Sequence, residues 1–253
     1  MSRCKYIFVL FIILIPQIIF SQTISSTTSG GEWNNTSTWV GGVVPTSSND
    51  AQINGVVEIE GDNNCRNLSI ATNGVLQNRY YYYGYWRYLN ISGNLINNGI
   101  IRNHPNGGDK LIINLAGNLT NNNICENTRI VFNGSKVQNV SLANNKVFKN
   151  DFEIGNSFTI PTAISNIKLT SQIDFKDNTS YWDMNNYSLT LDGNDITANP
   201  GTIKNVNDVI GLNSSIFEDL SLTGNVNFKE TISARNISID GNLTVTDTLQ
   251  NPY

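Results

Sequence analysis

Charge is scarce in this chain. Charged residues make up 14% of its 253 positions, against about 25% in an ordinary soluble domain. The 16 Lys and Arg are outnumbered by 20 Asp and Glu, which excludes a basic nucleic-acid binder. Of the 3 cysteines, Cys4 lies ahead of the first apolar run; the other two, with the single histidine His104, are too few for a four-ligand zinc centre or a disulfide framework. Proline numbers 6, which together with the absence of a glycine period excludes a collagen. No window after the first 20 or so residues carries a helical period, so a coiled coil is excluded as well. Apolar runs are short apart from one near the start, which excludes a multi-span membrane protein. No Walker A sequence, dinucleotide fingerprint or nucleophile elbow is present.

Asparagine takes the place of the missing charge, with 41 residues. This is not the signature of disorder, because disordered chains are poor in aromatic and β-branched residues. Here there are 10 Phe, 10 Tyr and 4 Trp, with abundant Ile, Val and Thr. The composition predicts β structure punctuated by many turns.

The first 21 residues have the layout of a secretory signal peptide. Arg3 and Lys5 precede an apolar run from Ile7 to Phe20, followed by small polar residues from Ser21. That run, about 14 residues, is shorter than the about 20 that a spanning helix needs. Residues 1–21 are therefore read as signal, 22–52 as an N-terminal cap with the first strands, and 53–253 as the repeated body. The expected location is secreted or cell-surface, with no stable membrane span once the signal is removed. Cys65 and Cys125 then remain, each in an apolar stretch beside asparagine. They are read first as separate core thiols, with a bridge left open by an oxidising compartment.

Internal repetition is the strongest signal. Asn-Gly-aliphatic-aliphatic occurs at Asn54–Val57, Asn73–Leu76 and Asn98–Ile101, and Asn122–Cys125 repeats it with Asn for Gly. Gly-Asn followed by Leu or Val occurs at Gly93, Gly117, Gly224 and Gly241, each after a short alternating run such as Leu89–Ser92 or Ile237–Asp240. Most intervals are roughly 17–25 residues, the length of one solenoid coil and too long for one strand and its turn. Stacked coils also account for the low charge, since like charges in register about 4.8 Å apart repel. The reading is an all-β, right-handed parallel β-helix with an N-terminal cap; a β-sandwich is the alternative. It places Asn118 and Asn242 at equivalent corners, with Leu119 and Leu243 pointing inward.

The segment Gly31-Glu-Trp33-Asn-Asn-Thr-Ser-Thr38-Trp39-Val-Gly41-Gly42-Val-Val-Pro45, continued by Asp50 and Ile53, resembles the opening of the secreted β-rich domain named for its eight glycines. The resemblance covers roughly Gly30 to Ile101, through Asn67-Leu-Ser-Ile and Asn73-Gly-Val-Leu, and is interrupted at Tyr80–Tyr88, short of the later glycines. It implies a parallel β-helical start to an extracellular protein, of a kind found in bacterial surface proteins and in animal proteins linked to glycan handling. Trp33 and Trp39 then read as a cap over the first coil, which a solenoid end requires. A sugar-stacking role for them is the lesser alternative.

One segment breaks the pattern: Arg79-Tyr-Tyr-Tyr-Tyr-Gly84-Tyr-Trp86-Arg-Tyr88. It puts aromatics on both sides of any strand, so outward rings must be covered or exposed. The simpler reading is a hairpin folded back on the rod; the functional reading makes Tyr83, Tyr85 and Trp86 a ligand-binding surface. No catalytic or metal residues are assigned. Asp174 with Asp177, and Asp192 with Asp195, are the nearest acidic clusters, and the second reads as turn chemistry before Ca²⁺ binding. His104 reads as a loop histidine. The function expected is a secreted scaffold or adhesin-like binding module, the alternative being a carbohydrate-binding or polysaccharide-active module whose catalytic part lies elsewhere. Glycans or cell-surface proteins are the expected partners, with no nucleic acid and no cofactor. The end at Leu249–Tyr253, directly after a repeat and without a capping segment, reads as a piece of a longer protein.

Overall fold

The computed structural model describes residues 22–81, 84–107, 110–155, 158–192, 201–212, 216–228, 232–245 and 249–250. The signal-peptide reading of residues 1–21, and with it Cys4, lies outside them. Within the described residues the chain is a β-solenoid with almost no helix. Paired strands run parallel along both sheets, and one isolated antiparallel bridge joins Ser26 to Trp39. Parallel stacking excludes the sandwich, whose sheets are antiparallel.

A 12-stranded sheet forms the first face, from Thr23–Ser25 to Leu249–Gln250. A 15-stranded sheet supplies the second face, from Gly31–Glu32 to Leu243–Val245, and also a third. The third face is a shorter ladder of Asp62–Cys65, Trp86–Ile91 and Lys110–Leu115, joined to the second through Ile124–Phe132 and continued through Phe148–Ile154 to Ile173–Phe175. Coil length sets the number of faces. Equivalent residues lie 24 apart where the third face is present (Asn98 and Asn122) and 17 apart near the end (Asn225 and Asn242).

Alternation decides what goes inside. Along Phe148–Ile154 burial alternates strictly from Phe148 to Ile154, with Phe152 between them inward and Asp151 and Glu153 outward. The interior is a continuous aliphatic and aromatic column. At mid-height Phe132 stacks on Phe152 at 5.6 Å, and Trp182 meets Phe152 edge-on at 5.2 Å. At the N-terminal end, Trp33 and Trp39 are 0% and 2% exposed, cross at 4.9 Å, and are tied by a 2.7 Å bond from Trp39 Nε1 to the Trp33 carbonyl. They are core residues of the first coils, and their burial removes the sugar-stacking alternative.

The Asn-Gly tetrads stand where the register expects them, opening the second face in successive coils: Val56 pairs with Val75 and Val75 with Ile100. The Gly-Asn motifs do not all occupy one corner. Leu95 and Leu119 pair on the first face, whereas Val226 and Leu243 pair on the second. Asn118 and Asn242 are therefore not equivalent, and Leu243 is 44% exposed on the last strand of its sheet. The motif records a tight corner between coils, and both corners have that shape. At Gly117 and at Gly241 alike, a β-carbon would run into the carbonyl of the preceding motif's glycine.

Two buried asparagines replace aliphatic residues on the first face. Asn97 and Asn121 follow Ile53 and Ile70 in register and precede Leu142. Asn97 Nδ2 donates to Asn121 Oδ1 at 2.7 Å and to the Ile124 carbonyl at 2.8 Å, while its Oδ1 accepts from Gly99 N at 3.1 Å. Truncating it leaves buried groups without partners. Asn97→Ala is expected to lose about 2–3 kcal/mol of stability, and Asn114→Ala, on the outer surface, less than about 1 kcal/mol. Denaturant unfolding followed by circular dichroism measures both.

Candidate functional site

The corner between the second and third faces changes length from coil to coil. It is first only Glu60 and Gly61, then the segment Arg79–Tyr85, then the loop starting at Asn103, and in the next coil little more than Asn127. Asn127 takes a left-handed backbone (φ 55°) at the register shift between Glu126 and Arg129, a conformation asparagine tolerates better than most residues. Phe148–Ile154 then passes from one face to the other as a single strand. Long corners beside a short one leave a step, and the step is a cleft of about 270 Å³. Trp86, Asn103 and Lys110 line one side, and Arg129, Lys149 and Asp151 the other.

The aromatic segment stands at this cleft. Tyr85 and Trp86 are 58% and 53% exposed, and Tyr80 and Tyr81 are also exposed. Tyr83 lies outside the described residues. The described residues between Arg79 and Tyr85 form no strand, and the hairpin reading lies partly outside them. Two arginines pin it. Arg87 lies 4.7 Å from the Tyr81 ring and 5.7 Å from that of Tyr85, and Arg79 lies 5.4 Å from Tyr81 while pairing with Glu32 at 2.6 Å. The Tyr85 carbonyl accepts from Lys110 N at 3.0 Å, and Trp86 stands in register with Lys110. Such cation–ring contacts contribute about 0.5–1 kcal/mol each at exposed sites.

Carboxylates collect beside the cleft around one cation. Arg129 reaches Glu153 at 3.1 Å, Asp174 at 3.2 Å and Asp151 at 3.9 Å. The Ser171 hydroxyl also donates to Asp151, and Lys176 pairs with Glu153 at 3.4 Å. Burial pushes the Asp174 carboxyl above its ordinary value, opposed chiefly by Arg129. Asp177 accepts from Thr179 and Ser180, whose hydrogen bonds hold its carboxyl low. It is a turn residue and not a partner of Asp174. Asp192 pairs with Lys168 at 2.8 Å, and Asp195 lies outside the described residues. Among the described residues no three His, Cys, Asp or Glu converge as a metal site.

His104 is a loop residue, as expected. Its backbone N donates to Asn78 Oδ1 at 2.7 Å, and its ring lies 5.5 Å from that of Tyr80. Trp86 is thus placed at a concave surface, with Tyr85 next to it in the chain but not lining it, while Lys110, Arg129, Lys149 and Asp151 were not singled out by sequence reasoning. The signal available was register: Lys110, Arg129 and Asp151 stand about one coil apart on strands leaving the same corner, and Lys149 lies on the strand of Asp151, in register with Glu126 ahead of that corner. No protein-family model matches the chain, and neither a curated protein nor a solved structure matches it.

Both cysteines are free, buried thiols. Burial pushes each up to about 12, so at pH 8 roughly one thiol in ten thousand is the reactive thiolate. Neither Cys65 nor Cys125 is expected to react with a disulfide reagent in the folded protein at that pH, while both should react in guanidinium. Peptide mass mapping after timed labelling reads this out.

Proposed function

We propose that the chain is an exported β-solenoid binding module that holds a glycan chain across the cleft at Trp86. The observation that carries this reading is the exposed ring of Trp86, beside the arginine-pinned Tyr85, at a polar, charged concavity. Sugar rings present apolar C–H faces edged by hydroxyls, and a cleft with an aromatic wall and hydrogen-bonding side chains meets both. The secretory layout of residues 1–21 and the resemblance of Gly31–Ile53 to the eight-glycine domain support an extracellular, surface-associated setting. A solenoid suits it, since each coil adds length along one axis. Among the described residues no helix is long and apolar enough to cross a membrane.

The polysaccharide-active alternative draws less support. Catalysis by paired carboxylates needs one acid and one base free to exchange protons. Here Asp151, Glu153 and Asp174 share Arg129, and each of the first two has a further donor. This arrangement suits holding a strand surface in place.

Tyr85→Ala with Trp86→Ala tests the binding reading. Both rings are more than half exposed, so the double variant should melt within a few degrees of the parent while losing retention on a glycan array. Loss of an aromatic anchor commonly weakens binding by about 1–3 kcal/mol. A large fall in melting temperature, with no glycan retained by the parent protein, would leave the segment a packing element alone.

A further inference from the structure

We infer that the cleft selects an acidic glycan, with Lys110 and Lys149 receiving a carboxylate or sulfate of the sugar that stacks on Trp86. This inference rests on the glycan-binding reading above and specifies the ligand's charge.

Three cations and one carboxylate line the cleft: Lys110, Arg129 and Lys149, with Asp151. Arg129 is committed to Asp151, Glu153 and Asp174. Asp151 is in turn engaged by Arg129 and by the Ser171 hydroxyl. Lys110 and Lys149 differ from the other cleft charges. Both are exposed, and among the described residues their ammonium groups take part in no ion pair or hydrogen bond, unlike Lys168, Lys176 and Lys146, which reach Asp192, Glu153 and Asn123. In a chain with a formal charge of −4, two exposed lysines in one concavity that make no ion pair among the described residues, Lys149 standing in register with Glu126 but not bridged to it, mark a place where an anion is favoured.

Geometry adds to this. Lys110 is the in-register neighbour of Trp86 on the adjacent strand, about 4.8 Å away along the rod. A ring stacked on Trp86 therefore places its substituents within reach of that ammonium group. The volume of about 270 Å³ is near the small end of ligand pockets, and suits a short stretch of sugar chain better than a folded partner. Single-stranded nucleic acid also stacks on aromatics, but it follows a track of cations matched to successive phosphates. Two lysines in an acidic protein make no such track.

Binding of the purified protein to polygalacturonate, dextran sulfate, neutral dextran and a single-stranded oligonucleotide, each across a salt series, tests the inference. Polygalacturonate, dextran sulfate or both should be retained, with neutral dextran held at least tenfold more weakly. Comparing the two acidic polymers tells carboxylate from sulfate recognition. Lys110→Ala with Lys149→Ala should lower acidic-polymer affinity roughly tenfold or more and flatten its salt dependence, without moving the melting temperature. Lys110→Arg with Lys149→Arg should retain most of the binding. Equal retention of neutral dextran, or acidic-polymer binding indifferent to the lysine variants, overturns the inference while leaving the glycan reading intact if Trp86→Ala still abolishes retention. Preference for the oligonucleotide, or no polymer retained at all, overturns both.

Discussion

Every coil of this solenoid rests on its neighbours in register, and that spacing governs the choice of residues throughout. A side chain at one level faces an equivalent position about 4.8 Å above and below. Like charges repel at that distance, while an amide can donate to one neighbour and accept from the other. The chain uses asparagine accordingly. At the corner opening the first face, Asn67 Oδ1 accepts from Asn94 N, Asn94 Oδ1 from Asn118 N, and Asn118 Oδ1 from Asn139 N, all at 2.8–2.9 Å. Asp50 begins the same column, accepting from Asn67 and held low by Arg66. Further along the chain Asn166 does the same for Ser188 at the corner opening the second face. Backbone donors that a turn would leave unpaired are thereby satisfied from the coil below.

The same constraint determines where variation is tolerated. Inserting one residue into a face would turn its buried side chains outward. A corner can lengthen freely, because it leaves the register on both sides unchanged. The segment Arg79–Tyr85 and the loop beginning at Asn103 are such expansions, and Asn127 is their contracted counterpart. The cleft exists because these lengths differ between adjacent coils. Trp86 and Lys110 begin strands directly after their expanded corners, so the ladder fixes their backbones while their side chains stay accessible.

Faces and corners were unequally legible in the sequence. Asn54, Asn73, Asn98 and Asn122 mark one corner faithfully, since each is followed by an alternating strand of the second face. Trp33 and Trp39 were legible as a cap because large apolar residues ahead of the first repeat have only the first coils to pack against. The Gly-Asn motif misled at Asn242. Close approach of one coil to the next demands glycine at either corner, so the motif cannot say which face follows. Alternation from Leu95 and Leu119 puts Asn97 and Asn121 inside, but their polarity reads as surface. Their place inside depends on the Ile124 carbonyl and Gly99 N, which only the fold brings near. The cleft was half legible. Tyr85 and Trp86 stood out by composition, but Lys110, Arg129 and Lys149 are ordinary surface residues until register gathers them.

The floor of the cleft is rigid for a reason that links it to the core. Arg129 and Val131 point outward while Ile130 and Phe132 point inward, and Asp151 and Glu153 alternate in the same way with Phe152 and Ile154. The charged cluster is thus the outer surface of the two strands whose inner surface carries the Phe132–Phe152 stack. Phe148 and Trp182 close on Phe152 edge-on from either side, at 5.0 and 5.2 Å. Packed aromatic rings resist the backbone shifts that would move an outward side chain. The carboxylates around Arg129 reinforce this by cross-linking three successive coils, since Arg129, Asp151 and Asp174 belong to three stacked strands. One wall of the cleft is therefore set before any ligand arrives, which reduces the ordering cost of binding. The opposite wall carries Trp86, whose neighbour Tyr85 is held by an arginine–ring contact and one backbone bond, so the wall can adjust to the ring it meets.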